Sequence, residues 1–225
     1  MSSTWAIVVA AGDGSRLGAD RPKAFVGLGG RPLLAQSIDL LEDHPAVDRI
    51  VLVVPADWEE PATLLADELA AGKVAAAVPG GETRALSVVA GLDAVAAGAE
   101  TILVHDAARP FATAELIDRL LEALATHPAA VPAMPVTDTV KRVSDGRVAE
   151  TLDRGELRAV QTPQAFRAEA LRRAYAAPAD VLRDATDCAS LVEAAGLEVA
   201  VVPGEAGNLK ITSPDDLAGA KERLR

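Results

Sequence analysis

The chain has 225 residues, half of them hydrophobic, and a formal net charge of −11. That size suits one large α/β core, a single domain over 1–225, and leaves no room for two comfortable catalytic domains. The acidic balance lacks the spread of Lys and Arg that a nucleic-acid surface needs, no apolar run reaches the roughly twenty residues of a membrane span, and residues 1–5 lack the pattern of a signal peptide. Neither nucleic acid nor membrane is therefore an expected partner, and a cytoplasmic location is expected.

Short β-branched runs alternate with Ala- and Leu-rich stretches, the pattern of βα units around a mostly parallel sheet. The spacing predicts a strand over 5–10, a long loop, and a helix over 33–43. Further strands are expected over 49–54, 73–78, 101–104, 129–133 and 197–202, with helices over 57–71, 83–97, 113–126, 167–176 and 185–195. Ser213 as N-cap, Pro214 at the first helical position, and Asp215 and Asp216 facing the positive dipole end announce a last helix. One segment breaks the alternation. Thr139-Val140-Lys141-Arg142-Val143 and residues 147–152 flank Ser144-Asp145-Gly146, a hairpin signal, giving an arm at about 137–154. A lone hairpin is marginal in water, so it needs either its own domain or a second protomer to lean on.

The first strand runs into Ala10-Ala11-Gly12-Asp13-Gly14-Ser15-Arg16-Leu17-Gly18, followed by Arg21-Pro22-Lys23. Glycines let main-chain N–H groups turn towards an anion, and Arg16 and Lys23 can neutralise charge that amides only polarise. A dinucleotide fingerprint is excluded because Gly18 falls one residue late and no helix follows at once; a P-loop is excluded because no Gly-Lys-Ser/Thr enters a helix. A phosphate cradle and an ordinary tight turn remain as alternatives.

Ligands of an open parallel sheet gather beyond the carboxyl ends of the strands. There the chain carries Pro79-Gly80-Gly81-Glu82-Thr83-Arg84, with Ser87 at a helix start, and His105-Asp106-Ala107-Ala108-Arg109-Pro110. Asp106 suits Mg²⁺ held against a triphosphate, or equally a helix cap or a partner to Arg109. Lys210 interrupts an apolar strand pattern in Asn208-Leu209-Lys210-Ile211-Thr212, either as an edge residue or pointing at a phosphate. His44 and His127, each before a proline, are expected to cap helices or to be solvated. The lone Cys188 is expected to be a buried small hydrophobe, and no zinc cluster or Ser-His-Asp set occurs.

Together with Asp138-Thr139-Val140-Lys141 and Gln161-Thr162-Pro163-Gln164, these motifs, in collinear order over nearly the whole chain, closely resemble the 2-C-methyl-D-erythritol 4-phosphate cytidylyltransferases of non-mevalonate isoprenoid synthesis. The resemblance implies a Rossmann-like nucleotidyltransferase fold, a mostly parallel twisted sheet with helices on both faces, and a protruding β-hairpin arm that interlocks a homodimer. It implies transfer of the cytidylyl group of CTP to the polyol phosphate, with Mg²⁺, releasing pyrophosphate. By resemblance, Arg16 and Lys23 stabilise the α-phosphate, and Ala10, Ala11, Gly12, Gly14, Gly81, Glu82, Arg84 and Ser87 surround the nucleotide. Asp106 stands at the metal and triphosphate. Lys210 and Arg154 position the acceptor beside Arg109, Thr139, Thr162 and Thr186, with Thr139 and Arg154 supplied by the partner's arm. Where family members often carry Thr-Asp-Glu/Asp-Ala-Ser, this chain has Thr186-Asp187-Cys188-Ala189-Ser190, so an acidic side chain is lost. Two alternatives stand beside this reading: a ribitol-5-phosphate cytidylyltransferase, against which the small Ala108 leans, and a non-catalytic nucleotide-binding regulatory protein.

Overall fold

The structure, a computed structural model, describes residues 3–14, 17, 18 and 20–224. Strand β1 (Thr4–Val9) is followed by a 3₁₀ turn at Lys23–Phe25 and a two-rung ribbon, β2 (Gly27–Leu28) and β3 (Arg31–Pro32). Helix α1 (Leu33–Asp43), β4 (Arg49–Val54), α2 (Glu59–Glu68), β5 (Val74–Pro79), α3 (Arg84–Ala94), β6 (Thr101–Asp106), α4 (Ala114–Ala123) and β7 (Ala129–Pro135) continue the alternation. Then come β8 (Lys141–Ser144), β9 (Arg147–Thr151), β10 (Arg158–Val160), β11 (Gln164–Arg167), α5 (Ala168–Tyr175), α6 (Ala179–Asp184), α7 (Cys188–Ala194), β12 (Val199–Pro203) and α8 (Pro214–Arg223).

The sheet runs β5-β4-β1-β6-β11-β7, with β1, β4, β5 and β6 mutually parallel. Strand β11 lies antiparallel between β6 and β7, while β12 pairs with β7 in parallel. Both β10 and β12 pair with Ala133, so they occupy opposite edges of β7. Successive strand residues face opposite sides. Ala6, Val8, Ile50, Leu52 and Leu103 pack under α1, α2 and α4. Ile7, Val51, Val53, Ile102 and Val104 pack under α3, α5 and α7. This is why 49–54 and 101–104 read as continuous apolar runs: both faces are covered. Each such fully buried Ile, Leu or Val contributes about 1.5–3 kcal/mol relative to exposure.

A third cluster, Leu17, Leu28, Leu33, Ile211 and Ala220, fastens the first loop to α8. Helix α8 starts as expected: Ser213 accepts from the Asp216 N–H, and Asp216 bonds back to the Ser213 N–H.

Several boundaries moved for local reasons. Asp57 and Ala70 have positive φ, which confines the expected 57–71 helix to α2. Thr83 caps α3 rather than joining it, and extended Val95 ends it. The expected 185–195 helix begins only at Cys188, where the Asp187 cap closes a capping box. Strands β10 and β11 and helix α6 were not expected; runs of three to six residues broken by Pro163 and Pro178 carry too little periodicity. Residues 208–212 form no strand, which corrects the edge-strand reading of Lys210. His44 is buried, not solvated: it ends α1, and its Nδ1 accepts from the Ala46 N–H. His127 is half-buried at the end of α4, its Nδ1 3.2 Å from the Ala123 carbonyl oxygen.

The hairpin forms where expected, with Asp145 and Gly146 both at positive φ, as a two-residue turn of this hand requires. Every residue of β8 and β9 is exposed, and the pair forms a sheet of its own.

Candidate active site

The loops beyond β1, β5 and β6 and the loop before α8 enclose a cleft of about 500 Å³. Ala10, Ala11 and Gly12 line it from the first loop, Gly81, Glu82, Arg84 and Ser87 from the second, Asp106 from the end of β6, Lys23 from the 3₁₀ turn and Lys210 from the loop before α8.

Two close approaches bring these loops together. Gly14 has φ +78°, and a Cβ there would stand 2.9 Å from the Arg21 carbonyl oxygen and 3.0 Å from the Lys23 nitrogen. The returning segment therefore lies against the loop, Lys23 N–H donates to the Gly12 carbonyl at 3.2 Å, and Lys23 reaches the cleft; Gly14 itself does not line it. At Gly80 a Cβ would stand 2.4 Å from Ala11 Cβ and 2.8 Å from Ser87 Oγ, so the first and second loops touch backbone to side chain. Ser87 stiffens that turn: its hydroxyl donates to the Thr83 carbonyl at 2.9 Å and accepts from the Gly81 N–H at 3.2 Å. The amino end of α3 then opens on the cleft, where its unpaired amides favour an anion.

Asp106 organises the charges. Oδ1 accepts from Arg84 Nε at 2.9 Å, and Oδ2 accepts from Lys210 Nζ at 2.7 Å. Burial alone would push this carboxyl up, but the charges of Arg84 and Lys210 outweigh it and hold the group below the usual carboxylate range. The cluster around Asp106 sets one carboxylate against two cations, while over the whole lining Asp13, Glu82 and Asp106 balance Lys23, Arg84 and Lys210, so the positive charge is local to the Arg84–Asp106–Lys210 group. That local pair of cations, with the helix amino end beside it, suits a phosphate group. The expectation that Asp106 pairs with Arg109 or caps a helix is corrected: Thr113 caps α4.

Arg109 does not line the cleft, although the charge of Asp106 still reaches it. Its Nη1 donates to the Asn208 carbonyl at 2.9 Å and its Nη2 to the Val160 carbonyl at 3.3 Å. Fully buried Asn208 donates to the Thr162 carbonyl at 2.9 Å, Gln161 donates to the Glu205 carbonyl at 2.8 Å, and Ile211 N–H donates to the Ala108 carbonyl at 2.8 Å. These bonds fix the loop that carries Lys210. Thr162, also buried, accepts from the Asp106 N–H at 3.0 Å, with its Oγ1 3.3 Å from His105 Nδ1. Burial holds the His105 imidazole down at about 4, so it is neutral. Asn208, Gln161 and His105 had no assigned role from sequence, since only their adjacency to Lys210, Thr162 and Asp106 marks them.

The other expected residues are dispersed. Thr139 and Arg154 are exposed on the arm, where Arg154 donates to the Thr137 carbonyl, and neither lines the cleft. Thr186 is exposed in the turn before α7. Arg16 lies outside the described residues. Cys188 is fully buried, as expected.

The model of the IspD family, 2-C-methyl-D-erythritol 4-phosphate cytidylyltransferase, matches residues 4–225. The chain belongs to this family. A relative bearing that name in Rhodococcus jostii (strain RHA1) is 49% identical over 219 residues, covering 96% of this chain and 92% of the relative. Among solved structures, 4-diphosphocytidyl-2C-methyl-D-erythritol synthase of Anaerococcus prevotii DSM 20548 superposes with a TM-score of 0.86 at 32% identity, covering 99% of this chain and 98% of that one. The 2-C-methyl-D-erythritol 4-phosphate cytidylyltransferase of Thermus thermophilus matches at a TM-score of 0.79 and 36% identity over the full length of both chains. As an IspD family member the chain is a cytidylyltransferase, and its own fold carries the hairpin β8-β9.

Proposed function

We propose that this IspD family member transfers the cytidylyl group of CTP to 2-C-methyl-D-erythritol 4-phosphate in its cleft, giving 4-diphosphocytidyl-2-C-methyl-D-erythritol and pyrophosphate for isoprenoid precursor synthesis. The observation that carries this reading is that Lys23 and Lys210, from opposite ends of the chain, line one cleft together with Asp106 and the Gly81 turn.

In this reading the nucleotide lies along Ala10 to Gly12 and the Gly81–Ser87 turn, with Lys23 and Arg16 at its α-phosphate. An oxygen of the acceptor phosphate forms the new bond to the α-phosphorus, and the bond from that phosphorus to the bridging oxygen breaks, so pyrophosphate leaves with the electron pair. The nucleophile is already anionic, so no side chain has to remove a proton. A neutral, buried His105 that does not line the cleft agrees with that. Positioned cations then do most of the catalytic work by stabilising charge on the transferred group.

Among the described residues no group of three His, Cys, Asp or Glu side chains could hold a metal ion. Mg²⁺ needs only one or two protein carboxylates when phosphate and water fill its shell, so Asp106 would hold a cation delivered with the triphosphate through the lone pairs left beside Arg84 and Lys210. When bound, it would neutralise triphosphate charge.

The reading extends to one domain with a dimerising arm. Val143 and Val148 on that arm are 61% and 62% exposed, and a second copy would cover them while bringing the partner's Arg154 and the partner's Thr139 to the acceptor. A cytoplasmic location is part of the proposal. No helix among the described residues is long and apolar enough to cross a membrane.

Steady-state pyrophosphate release from CTP with each polyol phosphate tests the acceptor. The expected result is a higher kcat/KM for methylerythritol phosphate; a large preference for ribitol 5-phosphate would overturn it, and CTP binding without turnover would favour a regulatory protein.

A further inference from the structure

Arg84 meets Asp106 in an unusual way. A guanidinium facing a carboxylate ordinarily lies fork to fork, two nitrogens on two oxygens. Here Nε donates to Oδ1 at 2.9 Å and Nη2 also lies 2.9 Å from Oδ1, while Oδ2 is left to Lys210. The remaining nitrogen, Nη1, points the other way and donates to Cys188 Sγ at 3.4 Å.

That sulfur is itself held. Tyr175 Oη donates to it at 3.1 Å from α5, and Cys188 is the first residue of α7. The start of α7 is fixed in turn by Asp187, which accepts from Ser190 N–H at 2.8 Å and from Gln164 Nε2 at 2.7 Å. Cys188 is fully buried and Tyr175 nearly so. A continuous chain of contacts thus runs from Tyr175 through Cys188, Arg84 and Asp106 to Lys210 on the cleft wall.

We propose that Cys188 is a positioning residue of the cleft. Its sulfur turns the Arg84 guanidinium so that only one Asp106 oxygen is taken, which reserves the other for Lys210. Without an acceptor at 188, Nη1 loses its partner there, and the guanidinium, whose buried Nη2 is already without an aligned hydrogen bond, gains by rotating to grip both carboxylate oxygens. Lys210 then loses Oδ2 and its fixed place beside the acceptor. The sulfur acts as a neutral acceptor here, because burial raises the thiol above its ordinary range. The contact chain is independent of substrate; its kinetic consequence rests on the proposed reaction.

Cys188→Ala and Cys188→Ser form the informative pair, since both are slightly smaller than cysteine and only serine keeps an acceptor. Acylation of Lys210 relative to Lys221 in the same molecule, read by mass spectrometry without substrate, reports whether Lys210 keeps its partner. The expected result is a rise of about tenfold in Cys188→Ala, the scale of one lost net hydrogen bond to a charged group, and a rise several times smaller in Cys188→Ser. Tyr175→Phe should move Lys210 in the same direction by less and serves if Cys188→Ala does not fold. In turnover, KM for the acceptor should rise in Cys188→Ala while KM for CTP stays within about twofold. Unchanged Lys210 labelling in a folded Cys188→Ala protein, or an equal change in the serine variant, overturns the inference. Failure of the wild type to turn over the polyol phosphate would instead count against the proposed reaction, leaving the labelling result to decide the role of Cys188.

Discussion

Lys210 Nζ stands 2.7 Å from Asp106 Oδ2, joining residues 104 positions apart across the mouth of the cleft. With Arg84 on the other oxygen, the carboxylate holds two cations that would otherwise repel each other. Asp106→Asn should therefore lower kcat/KM by about 10²-fold, the scale of a lost electrostatic element. Because its folded pKa is depressed, Asp106 contributes stability above the ordinary aspartate value of about 3.9, and that contribution is lost as pH falls through the lower folded value. Urea unfolding should show a gap between wild type and variant that is constant above about pH 5 and narrows below about pH 4. A gap that closes near neutrality would contradict the ion-pair account.

Lys23 is held at the cleft by the return of its main chain to Gly12. Lys23→Ala should lower kcat by about 10²-fold or more, as expected when a stabiliser of transition-state charge is removed. An unchanged kcat in pyrophosphate release would refute its role at the α-phosphate.

His105 gives a second pH signature, in a different window. Its folded value of about 4 lies below the ordinary 6.5, so the unfolded chain binds a proton that the native state refuses. Stability from this group is fully present above pH 6.5 and is lost as pH falls towards 4, by up to about 3 kcal/mol. His105→Gln should flatten that limb; an equally steep loss in the variant would show that another group titrates.

The arm prediction requires two chains. Arg154→Ala should raise KM for the acceptor more than for CTP, and mixing it with Arg16→Ala should restore activity, because some mixed dimers then hold one intact site. If subunits exchange and no activity returns, the arm does not complete a neighbour's site.

Two glycines separate packing from binding. A Cβ on Gly91 would stand 2.6 Å from Ile7 Cγ2 and 3.0 Å from Val53 Cγ2, in the core between α3 and the sheet. Gly91→Ala should cost about 1–3 kcal/mol in thermal unfolding with KM for CTP unchanged. Gly80→Ala, which drives Ala11 and Ser87 apart, should raise KM for CTP instead. The opposite pattern would misplace the nucleotide.

Local chemistry made much of this molecule readable from its sequence. The β4 run and the α1 periodicity mark their own ends, the Asp145-Gly146 turn marks the arm, and Ser213-Pro214 marks the last helix, because each signal lies within a few neighbouring residues. The glycine loops, Lys23 and Asp106 were legible as a set because strand ends in a parallel sheet face one crevice, whereas Lys210 joined them only through the resemblance to the family. What the sequence could not decide was pairing between distant segments. The insertion of β11 between β6 and β7, the preference of Asp106 for Arg84 and Lys210 over Arg109, and the turning of Arg109 towards Asn208 and Val160 each depend on which groups meet once solvent is excluded. Sequence order by itself determined the longer elements and the kind of charge at their ends, while the short β10, β11 and α6 took shape only in the packed chain. Only tertiary packing, through desolvation and the direction of each buried donor, decided which charges meet.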